Sequence, residues 1–84
     1  MFAVIWYNSA LDALADAVVQ ADLPTRDTIE QAVIRLNTNL AADPTNLGES
    51  RLGGRRIAFE QPCAILFRVD NASGVVRVTH FWTF

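Results

Sequence analysis

Lysine is absent from the sequence, and the seven basic residues are all arginine. Nine carboxylates outnumber them, leaving a formal net charge of −2. That balance speaks against broad nonspecific nucleic-acid binding, which draws on a large positive field. It leaves room for a local basic site, because arginine grips phosphate or carboxylate through a planar fork. A single cysteine, Cys63, excludes an internal disulfide. It lies in the apolar run PCAILFRV, where a buried structural thiol is expected, and a reducing, cytoplasmic setting fits. One histidine, His80, and no paired cysteines leave no zinc site of the usual ligand types, so neither metal nor cofactor is expected. Phosphate-binding loops, dinucleotide fingerprints and nucleophile elbows are missing. Carboxylates are scattered, with no obvious acid/base pair. Long apolar runs are missing too. Asp12 and Asp16 interrupt the N-terminal apolar stretch, which lacks a basic start, so neither a signal peptide nor a membrane span is expected.

What is present in quantity is apolar side chain. The 84 residues are 51% hydrophobic and 19% charged. That is enough to fold and too apolar for disorder. Residues 1–84 are expected to form a single domain. A chain this short buries only about 60% of its unfolded surface, so the core is thin. Apolar surface left over would suit a partner, either a second copy or a dedicated protein.

Phe2 to Tyr7, FAVIWY, is aromatic and β-branched and reads as a strand, its unbroken apolarity suggesting cover on both faces. Asn8 and Ser9 offer a cap, with Asp12 as a capping-box acid, to a helix over Ser9–Ala21. Leu11, Leu14, Ala15, Val18 and Val19 would be its buried stripe. Asp22 and Pro24 open a second helix, with Ile29, Val33, Leu36 and Leu40 in line and Ala32 beside them. Asp43-Pro44 ends it. Asp43 to Gly54 reads as a polar surface loop. Three strands follow, RRIAFE, CAILFRVD and VVRVTHFWTF, joined by Gln61-Pro62 and by NASG. The order β-α-α-β-β-β is an α+β domain with a helical hairpin packed on one face of a twisted, antiparallel-rich sheet.

Alternation sorts the strands into faces. Cys63, Ile65, Phe67 and Val69 share one side, and Ala64, Leu66, Arg68 and Asp70 the other. In the last strand Val76, Val78, His80 and Trp82 oppose Val75, Arg77, Thr79 and Phe81. The more apolar faces should meet the helices. Arg68 and Arg77 then stand on the open face, joined by Arg55 or Arg56, beside a loop carrying Arg51. Those five arginines are candidates to contact phosphate or acidic groups. The bland alternative pairs them with Asp70, Glu60 or Glu49. His80 falls among packed residues, and the aromatic end, Phe81, Trp82 and Phe84, either forms a partner interface or finishes the core.

The strand ending in Trp6, the helix carrying ALDALAD and the helix ending in LAADP are followed by GESR…RRIAFEQPCAILFRVD and VVRVTH. Together they resemble the RelE/ParE superfamily of toxins from type II toxin–antitoxin systems, often named plasmid stabilisation proteins. The resemblance covers nearly the whole chain. It implies a bacterial, cytoplasmic protein with this element order, neutralised by an antitoxin encoded alongside. RelE-like members cleave mRNA in the ribosomal A site, and ParE-like members poison DNA gyrase. Carried over, the family's basic positions fall near Arg55 and Arg56. The arginine often found early in the next strand falls at or near Ala64, and the terminal His-Arg pair begins at His80 but continues as Phe81. The resemblance makes Arg77 and His80 the catalytic candidates. A catalytically silent binding module or homodimer is the alternative.

Overall fold

The computed structural model describes residues 1–84. Its elements are β1 (Ala3–Trp6), α1 (Asn8–Gln20), α2 (Leu23–Ala42), β2 (Glu49–Ser50), β3 (Arg55–Glu60), β4 (Cys63–Asp70) and β5 (Val75–Thr83). Single 3₁₀ turns at Pro44–Asn46 and Leu52–Gly54 flank β2. The expected α+β order holds, with one addition. The two-residue β2 pairs with β3 inside what reads as a loop, making the sheet five-stranded in the order β1-β5-β4-β3-β2. The strand that sequence left unplaced, β1, runs parallel to β5, and all other pairs are antiparallel.

α2 follows its sequence closely. Asp22 caps it by accepting a hydrogen bond from the Thr25 backbone N–H at 2.9 Å, and Pro24 sits in the first turn. Ile29, Ala32, Leu36 and Leu40 are buried along one side. They meet Ala58, Cys63, Ile65, Phe67, Val76 and Val78 from the sheet. Each fully buried large side chain contributes about 1.5–3 kcal/mol. Trp6 donates its indole N–H to the Asn37 side-chain oxygen at 2.9 Å, fixing β1 beneath α2.

α1 departs from expectation in two respects. It starts at Asn8 with Tyr7 as its cap and no side-chain capping bond, so Ser9 and Asp12 form no capping box. The backbone explains this. Tyr7 still donates to the Val78 carbonyl of β5 while its own carbonyl already accepts from Leu11, so strand turns directly into helix. The buried side is also rotated. Ala10, Ala13, Leu14, Ala17 and Val18 face the core, while Leu11 and Val19 are exposed. Alanines allow the helix to lie close to the sheet, which Leu11 and Val19 would prevent.

β1 is covered on one face only. Val4 and Trp6 pack against the core, and Ile5 on the other side is 47% exposed.

Candidate functional site

The helices roof one face of the sheet, and strand register defines what stands on the other. Arg55 lies opposite Arg68, Arg68 opposite Arg77, and Arg77 opposite Ile5. Directly opposed residues share a face. Three arginines therefore form one row across β3, β4 and β5. Arg68 is exposed and Arg77 half-buried, and neither lies beneath the helices. Of Arg55 and Arg56, the register selects Arg55.

Arg56 falls on the helix side opposite Phe67. Its guanidinium bends out to the loop and donates to the carbonyls of Leu47 at 2.9 Å and Gly48 at 3.0 Å and to the Ser50 hydroxyl at 2.9 Å. Arg56 thus pins the loop from below and stands off the open face where sequence had offered to place it. Arg51 takes the bland role foreseen for it, an ion pair with Glu49 at 3.2 Å, and also donates to the Ser50 carbonyl. Arg68 donates to the Gly53 carbonyl, and Arg55 to the Leu52 carbonyl at 3.2 Å. Gly53 and Gly54 both have positive φ, 77° and 74°, so this turn needs residues without a Cβ penalty. The two remaining arginines are structural. Arg26 donates to the Ala21 and Val19 carbonyls at the end of α1, and Arg35 pairs with Glu60 at 3.2 Å.

The end of β5 overturns two further expectations, through one cause. Phe67 pairs with Val78 but Leu66 pairs with His80, so Thr79 is an extra residue in β5. A bulge of this kind reverses the alternation beyond it. His80 then opposes Leu66 and stands exposed on the open face, not among packed residues. Phe81 opposes Ile65 and enters the core at 5% exposure, with its ring centroid 6.1 Å from that of Trp6. Phe81 is therefore no surface residue for a partner. Trp82 returns to the open face, and Phe84 is 61% exposed. Phe84 makes an edge-to-face contact with Phe59 at 5.6 Å.

The bulge also sets the chemistry of His80. The Thr79 hydroxyl donates to the Leu66 carbonyl at 3.2 Å, and His80 Nδ1 lies 3.0 Å from the same hydroxyl oxygen. A hydroxyl has one proton. With that proton on Leu66, the contact to His80 requires the proton on Nδ1. The lone pair is then at Nε2, where it is free to accept a proton. Thr79 is thus a positioning residue that sequence reading missed. The break shows only in the structure, where Val76, Val78 and Phe81 are buried at steps of two and then three, which strict alternation forbids.

Three ionisable groups are shifted from their ordinary values: Asp22, Cys63 and Asp70. Hydrogen bonds from Ser73 hold the Asp70 carboxyl below the ordinary aspartate range, and the Arg77 charge adds to the effect. Burial pushes the Cys63 thiol up, with Glu60 reinforcing it, which suits the structural thiol expected and not a nucleophile.

The open face is not purely basic. Ile5, Phe59, Trp82 and Phe84 expose apolar surface around the arginine row. A planar cation beside exposed aromatic surface is suited to an anionic group attached to something flat or apolar.

No family model matches the sequence, and no curated protein matches it. Solved structures do. The chain is similar to one in the RelBE2 toxin–antitoxin complex of Mycobacterium tuberculosis, with a TM-score of 0.76, 22% identity, and 99% of this chain and 98% of that one covered. It is similar to one in the chromosomal ParDE toxin–antitoxin system of P. aeruginosa, with a TM-score of 0.75, 16% identity, and 99% and 96% covered. It is also similar to one in the intact E. coli RelBE toxin–antitoxin complex, with a TM-score of 0.66, 10% identity, and 100% and 98% covered. The chain has the RelE/ParE-type fold over its whole length.

Proposed function

We propose that this chain is the toxin of a type II toxin–antitoxin pair, that its open sheet face acts on mRNA, and that an antitoxin encoded beside it holds it inactive. The observation that carries the reading is the in-register row of Arg55, Arg68 and Arg77 on the uncovered face, with His80 delivered to that face by the Thr79 bulge. The similarity to chains of ParDE and RelBE complexes supports it. Attack of a ribose 2′-OH on the neighbouring phosphate builds negative charge on phosphate oxygens, forms a 2′,3′-cyclic phosphate and breaks the bond to the 5′-oxygen, which leaves with a proton from water. Guanidinium groups stabilise that charge, and His80 Nε2 takes the hydroxyl proton.

Expression of the chain without its neighbouring gene is the direct test. Growth arrest with mRNA cleaved in a translation extract is expected. Arg77→Gln should slow cleavage about 10²- to 10³-fold, the effect of losing one charge-stabilising donor. His80→Ala should slow cleavage about 10²- to 10⁴-fold, the effect of losing a positioned base. Growth arrest with intact mRNA and inhibited supercoiling would move the target to DNA gyrase. Normal growth, intact mRNA and active gyrase together would refute the toxin reading.

A second reading draws on the exposed Phe59, Phe84 and Trp82, which would suit a catalytically silent binding module or homodimer. Light scattering decides it: a monomer that also fails to bind the neighbouring gene's product would exclude both forms.

A further inference from the structure

Adjoining the arginine row, and sharing Arg55 with it, lies a second basic feature, a pocket of about 220 Å³ at the end of the sheet. Its walls include Thr45, Ser50, Arg51, Arg55, Arg56 and Asn71. Three of the seven arginines line it, and no carboxylate does. The parts come from four separate places: the turn after α2, the β2 loop, the start of β3 and the turn after β4.

The donor inventory is one-sided. Each guanidinium carries five N–H groups and accepts nothing. Arg56 has one bond from each of its three nitrogens to the loop, so its position is fixed. Arg55 uses only Nε, on the Leu52 carbonyl, and both terminal nitrogens are free to turn inward. Arg51 uses only Nη1. The Ser50 hydroxyl accepts from Arg56, which leaves its own proton available. The Asn71 amide has no partner within the protein and adds two more donors. Donors from charged and neutral groups line a space roomy enough for a tetrahedral oxyanion, and the one carboxylate bonded to any of them, Glu49, engages only Nη1 of Arg51 from outside the pocket walls.

We propose that this pocket is a phosphate site, held by Arg51, Arg55, Ser50 and Asn71 around the fixed Arg56. Forked arginines with neutral donors between them are the arrangement that recognises phosphate oxygens. The site stands independently of the toxin reading, because it requires only that the pocket bind. The same chemistry would accept a backbone phosphate of a nucleic-acid strand or a free phosphate ion.

The test is a titration of the ¹⁵N-labelled full chain with sodium phosphate, against sodium chloride at matched ionic strength, followed by amide chemical shifts. Saturable shifts at Ser50, Arg51, Arg55 and Asn71 are expected with phosphate only, with a Kd on the order of 1 mM. Arg51→Gln should weaken binding about tenfold. Asn71→Leu should weaken it severalfold, and it removes no bond that holds the fold. Arg35→Gln, whose side chain pairs with Glu60 and does not line the pocket, should bind as the parent does. Equal shifts with chloride would overturn the proposal, and so would parental affinity in both Arg51→Gln and Asn71→Leu. A short single-stranded oligoribonucleotide without terminal phosphates distinguishes the sources. Perturbation of the same amides by both ligands assigns the pocket to a strand's backbone, and by inorganic phosphate alone to the free ion.

Discussion

Thr79→Val removes one oxygen from the bulge of β5 and nothing else of consequence, since valine keeps the branched shape. Thr79 is 9% exposed, and its hydroxyl donates to the Leu66 carbonyl at 3.2 Å while facing His80 Nδ1 at 3.0 Å. Losing the bond costs about 0.5–1.5 kcal/mol, and a carbonyl left without its donor raises this toward 3 kcal/mol. The added methyl returns about 0.8 kcal/mol at a buried position. The net expectation is a loss of about 1 kcal/mol, or about 4–8 °C in Tm for a domain of this size. Urea unfolding should show a lower midpoint at unchanged m-value. The sharper readout is the imidazole itself. Long-range ¹⁵N–¹H spectra of the neutral ring should show the Nδ1–H tautomer in the parent, a shift toward Nε2–H in Thr79→Val, and the parental pattern again in Thr79→Ser. Parental stability together with an unchanged tautomer in Thr79→Val would refute the assignment of His80 and the role given to the bulge.

Phe81→Ala should cost about 3–5 kcal/mol, because Phe81 fills the core against Ile65 and Trp6. Trp82→Ala and Phe84→Ala on the open side should cost about 1 kcal/mol or less, and chemical denaturation compares the three. Gly48→Ala should lose at least about 2 kcal/mol, since a Cβ there would stand 2.0 Å from the Ile57 carbonyl oxygen at a φ of +68°. Cys63 should resist alkylation in the native protein and react once urea unfolds it, because burial disfavours its thiolate. Asp22 and Asp70 are held below the ordinary range by hydrogen bonds from Thr25 and Ser73. Their folded values are depressed, so the stability they supply is present above the ordinary aspartate range and is lost as pH falls toward the lowered values. Asp22→Asn and Asp70→Asn should accordingly flatten the fall in Tm between about pH 5 and pH 2, followed by circular dichroism.

How far the sequence carried depended on the regularity of each element. The α2 stripe and its Asp22 cap were legible because Ile29, Leu36 and Leu40 keep helical spacing and nothing competes with them. In α1 the large residues Leu11 and Val19 dominated the pattern, yet the alanines face the sheet, because close packing favours small side chains there. Strand faces were legible as far as Val78 and misread beyond it, since an inserted residue reverses every later side chain. That single shift exchanged the roles of His80 and Phe81. The arginine row was legible from alternation in β4 and β5. The choice between Arg55 and Arg56 was not, because it rests on the register between β3 and β4. Nor was the pocket around Asn71, which exists only once the end of β4 and the turn after it lie against the segment from Thr45 to Arg56.

β5, which joins β1 to the rest of the sheet, comes after every other strand in chain order, and its parallel neighbour comes first. Ala3 to Trp6 find no partner until Val75 to Val78 have been synthesised. Such long-range pairing is slow to form, and the helical hairpin waits beside an unfinished layer until it does. Arg77 joins its row in the same step that seats β1. A chain still emerging during translation therefore carries the separate charges but not the surface they build.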